Sequence, residues 1–391
     1  MRSEWITSTI DDICKLVTDG AHNSPKSVDN GYYMASVKDF TAYGFDFSNC
    51  RKISEADYLK LKKQGCVPES GDILVGKDGA RYFEDVIIYR QKEQPALLSS
   101  IAILRVDDTK VTSEFLYYTL KSPTVKKDVR DNYGSGSAIP RIVLKDFKRM
   151  PISFPNLKEQ KKITNICVLL DEKIQLNNRI NKNLEQQAQA IYQQMFIDNA
   201  SSDWTEGTLS DIADITMGQS PSGSSYNEDG NGTIFFQGRA EFGFRFPTVR
   251  LYTTEPKRMA CANDTLMSVR APVGDLNVAH TDCCIGRGLA TIHSKNNHQS
   301  FVLYTMFSLK KQLDVFNGEG TVFGSINRNS LNEMPLLIPS SEKIDEFEAL
   351  VAPMDAAIRN NYDEICRLEQ LRDSLLSKLM SGELDVSDIE I

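Results

Sequence analysis

Apolar positions recur with a 3–4 spacing from Glu159 to Phe196. Cys167, Ile174, Asn181, Ala188 and Met195 follow every seven residues, interleaved with Leu170, Asn177, Leu184 and Ile191. The pattern returns between Glu342 and Met380, where Val351, Ile358, Ile365, Arg372 and Leu379 interleave with Met354, Asn361, Leu368 and Leu375. Such spacing predicts two long helices with a coiled-coil seam. The seam is expected along Leu170, Ile174, Asn177, Leu184 and Ile191 on the first helix. On the second it is expected along Met354, Ile358, Asn361, Leu368 and Leu375. Asn177 and Asn361 occupy matching seam positions. Buried, they would cost stability and fix register; at a seam edge they would face water. Pro353 is expected to start or kink the second helix, leaving Met354–Met380 as its straight part, ~40 Å at 1.5 Å per residue.

Outside these helices the chain alternates short β-branched and aromatic runs with Gly, Asn and Asp, a pattern of strands and turns. It does so twice. Trp5, Thr9, Asp12 and Ile13 match Trp204, Thr208, Asp211 and Ile212 at an offset of 199 residues. Gly136 to Phe196 matches from Gly320 onward at an offset of 184, without a gap. The first copy therefore holds 15 extra residues in its loops. Gly71-Asp-Ile-Leu-Val-Gly-Lys-Asp-Gly79 and the looser Asn263 to Gly274 each read as a strand entering a turn that presents a basic residue, Lys77 or Arg270. Leu98–Val106 with Glu114–Leu120, and Gly288–His293 with Phe301–Leu309, read as strand then helix. Ser54 to Gln64 reads as a short helix capped by Ser54. The expected fold is α+β: residues 1–155 and 200–339 as two domains of mixed sheet plus helices, with helical spacers at 156–199 and 340–391.

The net charge of −8 does not by itself favour nucleic acid, but it is unevenly placed. Residues 1–155 carry 23 basic and 21 acidic side chains, and residues 204–339 carry 11 and 13. Residues 340–391 carry 5 and 13, so the excess lies in this last segment. Its acidic Glu342–Glu348 run reads most simply as a solvated face. The two large regions are close to neutral and leave room for local basic patches. None of the eight cysteines forms a C-x-x-C pair, so reduced thiols are expected rather than zinc. No apolar run approaches the ~18 residues of a membrane span, and the first residues lack an apolar signal core, so no membrane partner and a cytoplasmic location are expected. There is no N-P-P-[YF], no G-x-x-x-x-G-K-[ST] and no strand-anchored G-x-G-x-x-G.

Two variable regions, each followed by the same helical segment, resemble the specificity (S) subunit of Type I restriction-modification systems. The carriers are the DGAHNSPK loop, GDILVGKDGA, GSGSAIPRI, the helix entries FPNLKEQKKI and IPSSEKIDEF, then DEKIQLNN and LLSKLMSGEL. The resemblance implies two target recognition domains related by a pseudo-two-fold axis and joined by two antiparallel coiled-coil helices. Each domain would read one half of a bipartite, asymmetric double-stranded DNA target. The helices would hold the domains apart and dock two methyltransferase (M) subunits. S-adenosylmethionine is expected in those partners, with no cofactor and no catalytic residue in this chain. An added restriction (R) subunit would cleave unmethylated DNA. The alternatives are a recognition half split from a methyltransferase-nuclease fusion, or a coiled-coil protein adaptor.

Base reading uses Arg or Lys toward guanine and Asn or Gln toward adenine, from loops whose Gly and Ser let the backbone approach phosphate. The candidates in the first region are His22, Asn23, Lys77, Asp78, Arg81, Ser135, Ser137 and Arg141. In the second they are Gln219, Ser220, Gln237, Arg239, Ser268, Arg270, Arg287 and Arg328. Each could equally be a surface or turn-stabilising residue. Lys77 and Arg270 stand out because both copies carry a basic residue there. No metal site is expected at His22.

Overall fold

A computed structural model describes residues 4–79, 81–134, 140–318 and 324–386. The chain forms two units, Met1–Gln175 with Cys366–Ile391, and Leu176–Ile365. Each unit therefore holds one variable region and part of both long helices.

The first unit opens with strand Ile6–Thr9, paired antiparallel to Pro151–Phe154. Thr9 then caps the short helix Ile10–Ile13 in a capping box with Asp12, which satisfies orphan amides at both positions. The central sheet runs Cys14–Asp19, Ile101–Val106, Ile73–Gly76, Val86–Ile88, each neighbour antiparallel. Ile73, Leu74, Val75 and Ile101 to Leu104 are buried on both faces, so these strands read as apolar runs without alternation. Helix Ser113–Lys121 packs Phe115, Leu116 and Leu120 into the core. A smaller sheet, Lys52–Ile53, Tyr32–Ala35 and Ala96–Leu97, lies beyond it, with helix Glu55–Lys63 capped by Ser54 as expected.

The second unit repeats this plan. Thr205–Thr208 pairs with Pro335–Ile338, Thr208 and Asp211 form the capping box, and the central sheet runs Ala213–Met217, Leu289–Ser294, Thr265–Ser268, Leu276–Val278. Helix Gln299–Ser308 covers it. The units diverge in the smaller sheet, which here has five strands: Tyr226–Asn227, Leu251–Thr253, Thr233–Phe236, Cys283–Ile285 and Met259–Ala260. The α+β fold is the expected one.

The first long helix is Leu157–Tyr192, followed by a π-helical turn at Gln193–Asp198; the second is Ser341–Met380. Pro353 does not start the second helix but lies inside it. Proline removes one intrahelical bond, and here core residues on either side, Val351 and Ile358, keep the ladder in place. The continuous helix is 40 residues rather than 27. The helices pair antiparallel in each unit separately. In the first, Arg372 meets Asp171 and the Lys162 ammonium reaches the Val386 carbonyl. In the second, Asn177 meets Glu364 while Asn181 meets Ile358 and Asn361.

The two expected seam tracks differ in burial. Cys167, Ile174, Asn181, Ala188, Val351, Ile358, Ile365 and Leu379 are buried, whereas Leu170, Leu184, Ile191, Met354, Asn361, Leu368 and Leu375 are half-buried. Asn177 is buried, so it does not sit at a solvent-facing edge. Its amide donates to Glu364 at 2.7 Å, and Asn361 donates to Asn181 at 2.8 Å. This polar layer in the second unit has partners across the seam.

Each variable region is locked to a long helix by a carboxylate, buried at Asp171 and half-buried at Asp355. In the first unit Asp171 accepts from the Tyr118 hydroxyl at 2.7 Å and from the Arg372 guanidinium at 2.8 Å. In the second unit the residue 184 positions on, Asp355, accepts from the Tyr304 hydroxyl at 3.0 Å and from Arg245 at 3.1 Å. Ala188 stands where Arg372 would fall in that repeat, and the cation comes from the variable region instead. Arg245 is buried and also pairs with Glu185 at 3.0 Å. Burial, with the adjacent Asp171 charge, raises the Tyr118 hydroxyl well above its usual range, so it stays a donor.

A second tether runs from each long helix to the helix over the sheet. Gln160 accepts from the Thr112 amide and donates to the Lys110 and Pro155 carbonyls. Glu348 accepts from the Ser300 and Phe301 amides at 3.1 and 3.0 Å, where a helix N-terminus favours negative charge. The acidic run is thus split: Glu342, Asp345 and Glu346 face solvent, and Glu348 turns inward. In the first unit Trp5 lies against Gly382, where an added Cβ would come 2.9 Å from the indole. In the second, Trp204 packs on Phe196 at 5.9 Å between ring centres.

Two stability measurements follow. Asp171→Ala leaves Tyr118 and Arg372 without their shared acceptor. It should cost about 3–5 kcal/mol in denaturant titrations, and a loss under 1 kcal/mol would show that the carboxylate carries no such weight. At Glu348, burial holds the carboxyl above the usual carboxylate range, against the opposing pull of the Phe301 and Ser300 amides. The folded state then binds the proton more tightly, so this contribution is full below the unfolded value and is lost as pH rises through the folded one. Glu348→Gln cannot ionise. Its melting temperature should therefore rise relative to wild type as pH climbs above the usual carboxylate range; a relative fall would contradict this assignment.

Candidate nucleic-acid interface

The loops that carry the candidate residues meet at one end of each central sheet. Six backbone hydrogen bonds hold them, and each recurs in the other unit. In the first unit they are Gly20 N–H to Ile101 O, Ala21 to Leu97, Leu98 to Ala35, Lys77 to Ser100, Ile142 to Lys77, and Gly79 to Pro140, at 2.7–3.1 Å. In the second they are Gly218 to Leu289, Gln219 to Ile285, Gly286 to Phe236, Val269 to Gly288, Ile326 to Val269, and Ala271 to Gly324, at 2.8–3.1 Å. Gly20 and Gly218 mark a close crossing that recurs in both units. An added Cβ would lie 2.3 Å from the Leu97 carbonyl oxygen or 2.2 Å from that of Gly286.

This framework fixes which positions correspond. Gly76 and Ser268 face the matching residues Ile101 and Leu289 across the ladder. Lys77 therefore corresponds to Val269, and Asp78 to Arg270. The expected equivalence of Lys77 with Arg270 is overturned by one residue, and alternation along the strand end explains the consequence. Position 77/269 points inward: the Lys77 side chain keeps 8% of its exposure, and Val269 is buried. Position 78/270 points outward: Asp78 is half-buried and Arg270 exposed. Each pairs through an isolated bridge with the next loop, Asp78 with Arg141 and Arg270 with Ser325.

Lys77 is not presented to solvent. Its ammonium lies 3.4 Å from Asp19 and 3.6 Å from Asp78. His22 approaches the other side of Asp19 at 3.2 Å and is largely exposed, as is Asn23. Arg81 is exposed and pairs with Asp85. Arg141 is exposed. Ser135 and Ser137 lie outside the described residues. In the second unit Met217 and Val269 stand where Asp19 and Lys77 stand in the first, so an apolar pair replaces a buried ion pair.

Gln219, Ser220, Gln237 and Arg287 come together around Gly286–Gly288. The Ser220 hydroxyl accepts from the Arg287 amide at 3.2 Å, and the Gln237 carbonyl accepts from Gly288 at 3.3 Å. Arg239 is exposed and ion-paired with Asp275. Ser268 is buried; its hydroxyl donates to the Pro272 carbonyl at 2.6 Å and accepts from the Asp275 amide, a turn-stabilising role. Arg328 is exposed at the start of helix Arg328–Asn332, whose cap is Asn327.

The framework also exposes positions that residue type alone does not single out. Ser36 and Ser99 correspond to Gln237 and Arg287. Different side chains hold the first recognition loop: Arg51 bonds Ser24 and the Pro25 carbonyl, whereas the Tyr226 hydroxyl bonds the Pro221 carbonyl. Among the described residues no three His, Cys, Asp or Glu side chains are grouped to hold a metal ion. The eight cysteines form no disulfide. No described helix is long and apolar enough to cross a membrane.

The natural replacement of Asp19 and Lys77 by an apolar pair can be tested directly. Lys77→Val alone leaves Asp19 with only the exposed His22 as partner and should destabilise the chain by about 1–3 kcal/mol. Adding Asp19→Met should recover most of that loss in thermal melts; a double variant no more stable than the single would contradict the reading.

The sequence matches the family model described as Type I restriction modification DNA specificity domain over residues 2–186 and again over 201–356. A putative type I restriction enzyme MjaX specificity subunit of Methanocaldococcus jannaschii is 27% identical over 98% of this chain and 94% of its own. The type I restriction enzyme HindI specificity subunit of Haemophilus influenzae is 21% identical over 81% and 87%. Among solved structures, the S subunit of a Type I restriction-modification system from M. genitalium shares the fold. It has a TM-score of 0.56, 17% identity, and coverage of 97% of this chain and 96% of that one. The repeated sheet with its matched loop framework, together with a family match over most of the chain, places this protein among the Type I restriction-modification DNA specificity subunits.

Proposed function

We propose that this chain is the non-catalytic DNA-reading subunit of a Type I restriction-modification enzyme. Each unit reads one half of a bipartite target. One observation carries the proposal: an identical set of six backbone hydrogen bonds displays different outward side chains in the two units. A common scaffold with altered display is what two readers of unequal half-sites require. Arg270, Arg287 and Gln237 offer donors suited to purine edges in the second unit, while His22, Asp78 and Arg141 offer a mixed set in the first. The long helices serve as the spacer between half-sites and as the docking surface for two methyltransferase subunits, to which a restriction subunit is added. The methyl donor, S-adenosylmethionine, belongs to those methyltransferase subunits.

Near-neutral variable regions make the isolated chain a modest DNA binder. Duplex binding should therefore be salt-dependent and should tighten when the methyltransferase subunit of the same system is added. Methyl transfer from S-adenosylmethionine should appear only in that mixture. Transfer by this chain alone would overturn the non-catalytic role, and salt-independent association with protein alone would favour an adaptor.

A further inference from the structure

Position 78/270 is where the two units differ most sharply in charge on an otherwise matched frame. It follows the same strand, faces outward in both, and bridges to the same neighbouring loop. One unit places a carboxylate there and the other a guanidinium. We propose that this position reads a base in each half-site with opposite hydrogen-bond polarity. Asp78 accepts from the amino group of cytosine, and Arg270 donates to guanine. The inference rests on the DNA-reading function proposed above.

The surroundings of each residue suit that task. Lys77 is enclosed between Asp19 and Asp78 and leaves this group of three with an excess negative charge. Asp78 Oδ1 faces Lys77 at 3.6 Å and is itself buried without a hydrogen-bond partner, so the 30% exposure of the side chain lies on its remaining atoms and leaves Oδ2 as the oxygen for a base. Lys77 is thus a positioning residue: it holds the inner carboxylate oxygen and leaves the outer one to accept from a base. In the second unit the positions behind are Met217 and Val269. Arg270 therefore stands over an apolar layer, with Met217 rather than a carboxylate at the position of Asp19, so nothing there draws its guanidinium inward. Carboxylate to cytosine N4 and guanidinium to guanine O6 and N7 are the pairings that major-groove geometry favours.

The test is selection from a random duplex library by the full chain assembled with the methyltransferase subunits of its own system. Wild type should return two half-sites. Asp78→Asn should move one cytosine preference toward adenine in one half-site only, and Arg270→Gln should move one guanine toward adenine in the other. Discrimination at that base pair should change roughly 5- to 150-fold. Arg270→Lys keeps the charge but loses the planar fork, so it should relax guanine preference without altering the salt dependence. Uniform loss of affinity with unchanged base preference would mark a phosphate contact and overturn the proposal. So would both substitutions altering the same half-site. A wild-type assembly that selects no sequence would bring down the DNA-reading function itself. Melting curves of each variant separate loss of reading from loss of folding.

Discussion

The two variable regions depend on a largely enclosed carboxylate presented by a long helix. Asp171 and Asp355 each hold a tyrosine from the helix that covers the central sheet, and each is neutralised by an arginine. A lone buried carboxylate would be costly, and so would a lone buried guanidinium. The lock is therefore all-or-none: it is favourable only when helix, recognition region and cation are in place together. Apolar packing in the two main cores supplies the larger share of the stability, but it is non-directional. The hydrogen-bonded triad adds a preferred seat for each region on its helix. The Gln160 and Glu348 tethers add a second fixed point one end away, which leaves little freedom for rotation about the first.

On this base the sheets divide labour. The antiparallel central sheet is nearly identical in plan in both units and ends in the six matched hydrogen bonds. The smaller sheet changes from three strands to five. Variation is thus kept away from the strands that set loop positions, and it is expressed in outward side chains and in the loops that buttress them. The exchange of Asp19–Lys77 for Met217–Val269 shows that even the layer beneath the loops can change its chemistry while backbone geometry is kept.

The helical pattern was legible because heptad spacing survives in any environment. Four of the five positions of the Cys167-to-Met195 track are buried, and Met195 is half-buried. The strand-then-helix pairs fell within a few residues of their expected bounds for the same reason. Pro353 does not start the helix, because the local rule about broken hydrogen bonds is outweighed by the core residues flanking it. The displaced equivalence of Lys77 and Arg270 has a different origin. Chemical likeness suggested pairing the two basic residues, yet an ungapped match from Asp72 and Asp264 onward already places Lys77 on Val269. Burial of Lys77 follows from strand alternation once that register is known. The pairings of Arg372 and Arg245 were beyond reach: one acts across 201 residues and the other across 110, Arg372 has Ala188 as its repeat counterpart, and Arg245 lies outside any repeated motif.

The source of the cation in the two locks has a consequence for modularity. Arg372 belongs to the long helix, so the first recognition region contributes only a tyrosine to its seat. Arg245 belongs to the second recognition region and comes with it. A transplanted first region thus finds the neutralising charge already waiting in the host scaffold. A transplanted second region must import its own, and without it would leave Glu185 and Asp355 as two facing carboxylates. The two halves of this protein are therefore unequal as acceptors of foreign specificity.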